Sequence, residues 1–544
     1  MSRYRSYGKL DDQPVVDGDR AFLGFGSFRD AGSIPENYLA ESQNLRLETN
    51  SAIVRKGLKR LVHDATVLGS TVLASTFYRD PASGAEYVVL ACSDRAYFVN
   101  PADDTKKTIL YAGGETAAAG CMLMQAFHYL FLWRTDSPAL PFTLPTTLGK
   151  YPLIFDGEDL AAETGTFVKP AETSTIPPSS YAIYASSRLC VLTGRDTVRF
   201  SLHGDPNTFR YEDQITFNAG DSDIITSLSP IEGDALMIGK RRSLLVRTNI
   251  TDLWGANGMT SEVSNQFGIV ARETVRQVGG LIFFLNDSGV YSVNAAVRGS
   301  SRVGTPVAYL QITDDPISAD IEDEIEAIDF TTARTTACAV VASNRYYLAT
   351  PSSASGNDRI LIYNIVLNSW ESVDTLPFGV YVENLIRIIY ENQLRVAAIC
   401  SSGKVLLLEE NADGTDEYGN TVEPTTAAVD AKAVTRLYRG GDVSSVKRWK
   451  IATIGSTTKT AASTKFRVLA NTREPDSAEV ELGEFTTTAI EEDFRRLGIR
   501  QRGNGIQITV NNGKAGVANP AGRWELRDIS IEGHTGSRQR RSYA

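Results

Sequence analysis

A β-hairpin pattern recurs along most of the chain, and this repeat constrains the fold more than any other feature. The stretch FFLNDSGVYSV, residues 283–293, runs through strand formers, reverses at Asn-Asp-Ser-Gly and leaves through strand formers again. Asn, Asp and Gly tolerate the positive φ angles that tight hairpin turns need. Six further segments have this form, with turns near Asp94, Asp136, Arg195, Arg241, Gly356 and Ser402. The chain is therefore predicted to contain many short antiparallel strands.

The turns recur at a nearly regular spacing. Taken in chain order with the turn at Ser288, they are separated by 42, 59, 46, 47, 68 and 46 residues. A period of roughly 40–50 residues with several short strands per unit is typical of propeller blades, which pack radially on one another. The sequence therefore predicts an all-β fold, with a β-propeller of about seven blades over residues 66–425. Stacked β-sandwiches are the alternative, since they also give short strands with frequent turns.

The two ends of the chain do not follow this repeat. Residues 1–65 are polar and rich in turns, with one weak strand around 52–58, and are expected to pack with the C-terminal region. In that arrangement four apolar side chains would contact mainly residues beyond 425: Ile34, Leu39, Leu45 and Leu47. Residues 426–544 are predicted to form a β-rich platform domain, with strands in KRWKIATIG, KFRVLANT, EVELGEF, GIQITVNN and RWELRDISIEG.

Two segments interrupt the strand pattern. The stretch ENADGTDEYGNTVEP, residues 410–424, is predicted to link the two domains because it is rich in Gly, Asp, Asn and Pro. It resembles a calcium-binding loop only superficially, since the regular spacing of oxygen ligands and the closing glutamate are missing. A helix is predicted over Ile317–Ile328, where isoleucines recur at helical spacing. Its carboxylates are expected to face solvent rather than form an active site: Asp314, Asp315, Asp320, Glu322, Asp323, Glu324 and Glu326.

The composition is that of an ordinary globular protein, with 42% hydrophobic and 22% charged residues. No apolar run reaches about 18 residues, so no membrane-spanning helix is predicted. The polar N-terminus lacks the apolar core of a secretory signal. Five scattered cysteines lie mostly in strand-like segments: Cys92, Cys121, Cys190, Cys338 and Cys400. They are predicted to be reduced core thiols of a protein made in a reducing cytoplasm.

Charge is divided unevenly along the chain. Residues 430–544 contain 20 Lys and Arg against 13 Asp and Glu, a net charge of +7. Because the whole chain carries −10, the first 429 residues carry −17. An acidic body with a basic terminal domain indicates electrostatic pairing between subunits or with a partner, or a surface that does not grip nucleic acid. The tail SRQRRSYA, residues 537–544, could contact an acidic partner or a phosphate backbone, or be a solvated chain terminus. Arg538, Arg540 and Arg541 are its candidate assembly contacts.

No catalytic constellation is recognisable in the sequence. The histidines, His63, His128, His203 and His534, stand apart, without a second histidine at metal-ligand spacing. Nucleophile-elbow, phosphate-loop and dinucleotide-binding motifs are missing. A carboxylate pair of the glycosidase type cannot be chosen among 65 Asp and Glu, because the required spacing is spatial. The sequence thus predicts no enzyme, no metal site and no cofactor.

Several phrases, in order along the chain, resemble tail proteins of short-tailed bacteriophages. Near the N-terminus, residues 33–61 contain a proline-bearing phrase, an Asn-bearing stretch and then RKGL at 55–58. The stretch FSLHGDPNTFRYEDQITFNAGDSDIITSLSPIEGDALMIGKRRSLLV resembles their central blades, with GDP at 204–206 followed by DII at 223–225. The likeness continues in residues 265–293, in residues 345–374 and in the ending RWELRDISIEGHTGSR. The resemblance therefore covers most of the chain.

These phrases are similar to those of the tail nozzle family, also called tail tubular protein B, and of packaged-DNA stabilisation proteins. The resemblance implies a virion structural protein with a β-propeller and a β-rich platform, forming a ring of six copies below the portal and adaptor proteins. Such a ring surrounds the genome-exit channel and keeps it closed until infection, when viral DNA passes through without sequence preference. The ring also carries a tail fibre or tip protein. The virion tail is the implied location. This chain is shorter than the better-known nozzles, which leaves the mode of fibre attachment open.

Two other functions are compatible with a propeller. A carbohydrate-binding adhesin or lectin would present clusters of exposed aromatic side chains on one face. A propeller glycoside hydrolase would bring carboxylates together at the propeller axis. The sequence ties neither function to particular residues, and a shared fold does not imply a shared function.

Overall fold

The computed structural model of the 544-residue chain describes residues 14–535 with a series of gaps. The gaps are residues 28–30, 49, 62–70, 103–104, 119, 135–149, 159, 161–164, 172–173, 232–233, 256–257, 300–305, 313–314, 419–424, 442–444, 461–463, 473–477, 488–489, 491 and 513–521. The described part is built almost entirely from β-strands. None of its helices is long and apolar enough to cross a membrane.

The N-terminal segment contributes short strands that take distant partners. They are β1 (Pro14–Asp19), β2 (Gly24–Phe25), β3 (Tyr38–Gln43), β4 (Leu45–Glu48), β5 (Ser51–Val54) and β6 (Gly57–Arg60). The expectation of one weak strand around residues 52–58 was wrong. These strands are only two to six residues long. Strands β4 and β5 pair with each other, but β1, β3, β5 and β6 take partners hundreds of residues away, so local patterning gives little sign of them.

The central part of the chain forms seven consecutive antiparallel units, which are the blades. Blades 1 and 2 contain β7 (Ala74–Arg79), β8 (Glu86–Ala91), β9 (Arg95–Val99), β10 (Lys106–Tyr111), β11 (Met122–Ala126), β12 (Tyr129–Arg134) and β13 (Lys150–Phe155), followed by the short β14 (Thr166–Phe167). Blades 3 and 4 contain β15 (Ala182–Ala185), β16 (Arg188–Leu192), β17 (Thr197–Leu202), β18 (Asp205–Thr216), β19 (Ile225–Ile231), β20 (Ala235–Lys240), β21 (Leu244–Thr248) and β22 (Thr260–Ser264). Blades 5 to 7 contain β23 (Arg276–Val278), β24 (Leu281–Asn286), β25 (Gly289–Gly299), β26 (Pro306–Ile312), β27 (Cys338–Ala342), β28 (Arg345–Pro351), β29 (Asn357–Asn364), β30 (Ser369–Thr375), β31 (Val382–Tyr390), β32 (Gln393–Cys400) and β33 (Val405–Asn411).

The blades close into a ring. The first strand of each blade contacts the first strand of the next: β7 meets β11, β11 meets β15, and β15 meets β19. From β19 the ring passes through the 3₁₀ turn Arg272–Thr274, which leads into β23, and then through β27 and β31 back to β7. The outer strand of blade 7 is β6, which pairs antiparallel with β33. The fold is therefore a seven-bladed β-propeller closed by a strand from near the N-terminus. This confirms the prediction of an all-β propeller.

The predicted hairpins are the middle hairpins of the blades. The turns near Asp94, Arg195, Arg241, Ser288, Gly356 and Ser402 each join the second and third strands of one blade. The repeat prediction is confirmed for these six, and the turn near Asp136 lies outside the described residues. The longest interval, from Ser288 to Gly356, contains an insertion between blades 5 and 6. This insertion explains why the spacing is irregular there.

The insertion between blades 5 and 6 holds the predicted helical segment. A 3₁₀ turn over Ala319–Ile321 leads into α1 (Glu322–Glu326), and α2 (Phe330–Thr336) follows. The predicted apolar stripe is buried at Ile321, Ile325 and Ile328. Glu324 on the acidic side forms an ion pair with Arg359 at 2.9 Å. The helix is shorter than predicted, and the second helix was not anticipated.

The C-terminal region forms the platform with help from the N-terminal segment. Its strands are β34 (Thr415–Glu417), β35 (Thr426–Ala428), β36 (Lys432–Thr435), β37 (Lys447–Thr458), β38 (Thr464–Asn471), β39 (Val480–Thr487), β40 (Glu492–Gly503), β41 (Gln507–Asn511) and β42 (Trp524–Thr535). The five predicted strands correspond to β37, β38, β39, β41 and β42. One platform sheet has the order β4-β5-β42-β37-β40, with β1 also on β42. The other has the order β39-β38-β41-β36-β3 and continues through β30 into blade 6.

The N-terminal segment is shared between the two parts. Strands β1, β3 and β5 pair with platform strands, whereas β6 belongs to blade 7. The predicted boundary near residue 65 places β6 with the platform, whereas the structure places it in blade 7. The pairing has no local sequence signal, because the partner strand β33 lies about 350 residues away. Leu39, Leu45 and Leu47 lie in one continuous hydrophobic core that includes platform residues such as Trp449 and blade residues such as Trp370. The two parts are thus fused by a common core.

Candidate interaction surfaces

A buried ionic network ties the N-terminal segment to the propeller. Arg46 donates two hydrogen bonds to Asp374, at 2.9 and 2.6 Å, and a third through Nε to Glu409 at 2.6 Å. Asp416 accepts a matching pair of hydrogen bonds from Arg55, at 2.8 and 2.7 Å. Both arginines and both aspartates are buried. Because buried charges need such partners, the network fixes the segment to blades 6 and 7.

Asn44 connects three parts of the chain at the point where β3 gives way to β4. Its side-chain amide donates to the Asp430 carbonyl at 2.6 Å and to the Thr375 hydroxyl at 2.8 Å. Its side-chain oxygen accepts from Arg55 Nε at 2.9 Å and from the Thr375 backbone at 3.1 Å. The residue has a φ of 54°, a left-handed conformation that Asn tolerates better than most residues. Asn44 thereby turns the chain from one platform sheet into the other.

The network also sets the charge state of Glu409. Burial raises the pKa of this carboxyl, but Arg46 and Arg345 outweigh burial and bring the pKa from an ordinary value of 4.5 down to about 2. Tyr347 donates a further hydrogen bond to the carboxylate at 3.0 Å. Glu409 has a φ of 60°, and the pairing of β33 with β6 is irregular around it. The group is an ionised structural anion at neutral pH rather than a proton donor.

The described side chains that could act as nucleophiles or metal ligands do not lie together in one site. Within the described ranges, no group of three or more His, Cys, Asp and Glu side chains could hold a metal ion. All five cysteines are buried with free thiols, which confirms the prediction of core thiols. Burial raises the pKa of Cys92 to about 11 and those of Cys121 and Cys400 to about 12. The seven inner strands, all of them described, carry one carboxylate, Glu383, whose pKa burial raises.

A small void lies between the two platform sheets. It is lined by Phe466, Phe485, Arg495 and Trp524 among others, and its volume is about 20 Å³. A space of this size holds about one water molecule. It is too small to bind a substrate. Any partner of the platform would therefore contact its outer surfaces and not this void.

The outer face of one platform sheet is open to solvent. Along β40, odd-numbered residues such as Leu497 and Ile499 are buried against the other sheet, whereas even-numbered residues are exposed. This alternation is that of a sheet with one face on a core and one face in water. Phe494 is 67% exposed on this outer face. Arg496, also outward, pairs with Glu532 of β42 at 3.2 Å.

One end of this open sheet is strongly basic, and we name it the basic face: Arg448, Lys450, Arg500 and Arg502. Strand register brings it together, because Arg448 of β37 lies opposite Arg502 of β40. All four side chains are exposed and form no ion pair with any described residue. The predicted assembly contacts Arg538, Arg540 and Arg541 lie outside the described residues. They follow β42, whose last residue, Thr535, is opposite Lys447.

The propeller has a contrasting surface on blades 2–4. In a four-stranded antiparallel blade, the turns after the first and third strands lie at one end of the propeller. For blades 2–4 these connections are residues 127–128, 156–165, 186–187, 203–204, 232–234 and 249–259. Their described residues include four Asp and Glu and no Lys or Arg. This end of the propeller is therefore acidic.

We name this surface the acidic loop face, defined by Asp156, Glu158, Asp234 and Asp252 with the apolar Phe127, Trp254 and Met259. Its four carboxylates form no ion pair within the described part of the chain. Trp254 is 65% exposed and Met259 is 64% exposed, in the same connection as Asp252. Phe127 is also exposed, and it has an unusual φ of 56° in its turn. The sequence alone shows the net negative charge of the first 429 residues, but not that these carboxylates lie beside exposed apolar side chains. That arrangement depends on the order of the turns around the ring.

Comparisons with known proteins add only distant structural likenesses. No protein-family model matches the chain, and no curated protein matches it. Among solved structures the chain is similar to BBS1N in complex with ARL6DN, with 11% identity and a TM-score of 0.40, over 66% of this chain and 98% of that one. It is also similar to a chain of the mitotic checkpoint complex, with 9% identity and a TM-score of 0.36, over 66% and 94%. The propeller assignment rests on the strand order and the closed ring of contacts, not on these likenesses.

Proposed function

We propose that the chain is a structural subunit of the tail of a short-tailed bacteriophage, with the role of a nozzle below the portal and adaptor. The ordered resemblance of its sequence to the tail nozzle family supports this role. So does an architecture of the kind that the resemblance implies, a propeller joined to a β platform. In this role several copies, six by resemblance, surround the DNA exit channel and carry a tail fibre or tip protein.

The observation that carries the proposal is the fusion of propeller and platform into one block. Blade 6 continues through β3 into a platform sheet, and strands from both chain ends interleave in the other sheet. A shared core and buried ion pairs fill the junction. Such a block resists relative motion of its parts, which suits a component that holds a pressurised channel closed.

The charge distribution also supports a conduit role. DNA is a dense polyanion, and a passage that attracted its phosphates would hold it back. Residues 1–429 carry a net charge of −17. Repulsion between this acidic body and DNA favours passage without binding.

The proposal is tested in virus particles. A phage whose copy of this gene carries an early stop codon is grown with and without the chain supplied in trans. We expect the chain to co-purify with mature tailed particles in several copies, and particles made without it to fail to retain or deliver DNA. Absence of the chain from purified particles, or full infectivity without it, would contradict the proposal.

A second experiment addresses the predicted assembly contacts. Deleting residues 537–544 removes Arg538, Arg540 and Arg541 without touching a described strand, and we expect reduced incorporation into particles rather than its loss. Truncation from Thr426 would not be informative about assembly. It would remove β36 and β42, the partners of β3 and β5, and so unfold the N-terminal segment.

A further inference from the structure

We propose that the basic face of one copy docks on the acidic loop face of the next copy. The inference rests on the proposed role as a subunit of a ring, and it names the two surfaces that meet. The platform supplies four exposed cations on the outer face of a sheet, and blades 2–4 supply carboxylates, three of them exposed, beside apolar side chains. The pairing is therefore between unlike surfaces of the same chain.

The positions of the two surfaces favour contact between copies. The platform joins the propeller at the outer strand of blade 6 through the pairing of β3 with β30, in the sheet that packs against the one carrying the basic face. In a ring of seven blades, blades 2 and 3 lie across the axis from blade 6. The acidic loop face is thus carried by blades that lie across the ring from the blade that the platform of the same copy joins. A contact between two different patches is heterologous, and repetition of it gives a ring or an open filament.

The side chains match a protein interface better than a nucleic-acid one. Phe494 and Val16 are exposed on the same sheet face as the cations, and Trp254 and Met259 lie among the carboxylates. Aromatic residues, Met and Arg are enriched in protein–protein interfaces, and Trp is a frequent hot spot. A phosphate backbone would use the cations but leave the apolar side chains without partners. The −17 charge of the rest of the chain would also repel it.

The inference is tested by charge reversal in the full-length chain. One variant reverses the platform side, with Arg448→Glu, Arg500→Glu and Arg502→Glu. A second variant reverses the propeller side, with Asp156→Lys, Glu158→Lys and Asp252→Lys. A third combines all six substitutions. Self-association of each is measured by analytical ultracentrifugation at low and high salt, and intact folding is checked by the thermal midpoint.

We expect each single-face variant to associate at least about tenfold more weakly than the wild type, because like charges then meet. The combined variant restores opposite charges and should recover most of the lost association. Trp254→Ala should weaken association by a similar factor without changing its salt dependence. Glu391→Lys is the matched control, since Glu391 is an exposed carboxylate in the corresponding turn of blade 7, away from blades 2–4. It should associate like the wild type.

Any of the following outcomes would overturn the inference. In the first, single-face variants associate like the wild type. The contact between copies would then be made by other surfaces, and the nozzle proposal would remain intact. In the second, the combined variant stays as weak as the single-face variants, or the wild type remains monomeric up to about 100 μM. In the third, reversal of the basic face abolishes binding of a duplex DNA probe but leaves self-association unchanged. The particle experiment with the stop codon tests the nozzle role separately from all three.

Discussion

Single residues at the junction determine whether the N-terminal segment stays in place. Arg55 is buried, with Asp416 as its hydrogen-bonded anionic partner, Asn44 as a second acceptor and Asp374 as a further carboxylate at 3.6 Å. The desolvation of such a charge is offset only while its partners remain, so removal of one partner leaves a buried charge unpaired. Exposed pairs behave differently, because water solvates either partner after the other is removed.

The first prediction concerns this contrast. Replacing Asp416→Asn leaves buried Arg55 with Asp374, at 3.6 Å, as its remaining anionic partner. We therefore expect a loss of about 3 kcal/mol in the free energy of unfolding, the low end for breaking a buried pair. The control is Arg95→Ala, which breaks the exposed pair Arg95–Asp94 and should cost no more than about 1 kcal/mol. Urea unfolding followed by tryptophan fluorescence measures both. Equal effects of the two substitutions would show that the junction pair contributes no more than a surface pair.

The second prediction concerns acid. The pKa of Glu409 is about 2 in the folded chain, below its ordinary value of 4.5. A carboxyl with a lowered folded pKa stabilises the fold fully above its unfolded pKa and loses this contribution as the pH falls through the folded pKa. Glu409→Gln lacks the titrating group. We therefore expect the wild type to be more stable at neutral pH, and the difference from Glu409→Gln to narrow between about pH 4.5 and 2.

Unfolding midpoints in urea at a series of pH values between 6 and 2.5 measure this difference. The substitution keeps the size of the side chain, so packing is matched. A difference that stays constant over the whole series would show that Glu409 does not titrate in this window.

Among the elements, β6 closes the propeller and brings the N-terminal segment to blade 7. At Gly57 a side chain would clash with the backbone of Thr415 in β34, which crosses this strand closely. The position therefore needs glycine for space and not for its φ angle. Closure by β6 couples the platform to the ring of blades, since β5 and β6 are separated by only two residues.

The third prediction tests this close approach. Gly57→Ala is expected to lower the free energy of unfolding by about 1–3 kcal/mol, because the backbone of β6 or β34 must move. Gly498→Ala is the matched control in a strand, since an added methyl group meets no atom within 4 Å there. It should change stability by less than about 0.5 kcal/mol. Thermal unfolding of both variants is the measurement, and an effect of Gly57→Ala as small as that of Gly498→Ala would contradict a tight β6–β34 contact.

The blades could be predicted from sequence, but their closure could not. Each middle hairpin has long apolar runs on both sides of its turn, so Phe283–Val293 and its equivalents stand out locally. The first hairpins of the blades are less visible. Ser186–Ser187 and Glu391–Asn392 turn with positive φ at both residues, although Ser and Glu are not usual there. The pairing of β6 with β33 has no local signature at all.

The same distinction applies to the candidate surfaces. Counting charges along the chain reveals a basic C-terminal region, but it does not show that Arg448 lies opposite Arg502. That depends on the register of β37 with β40, and β40 was not predicted because four of its outward positions carry charge. The tail arginines, chosen for their clustering in sequence, remain a prediction.

At the scale of the whole molecule, two unlike surfaces lie on a rigid scaffold. The platform is built from both ends of the chain, and the propeller is closed by one of them, so neither part is completed without the other. The basic face and the acidic loop face are carried by this one block at different sites. A subunit of this kind is suited to repeat around an axis.

Electron microscopy of the purified full-length chain, alone and mixed with the neighbouring proteins of the same virion, tests this claim most directly. We expect rings of several copies around a central channel, in at least one of the two preparations. Isolated propeller-sized particles in both preparations, with no ring at any protein concentration, would contradict it.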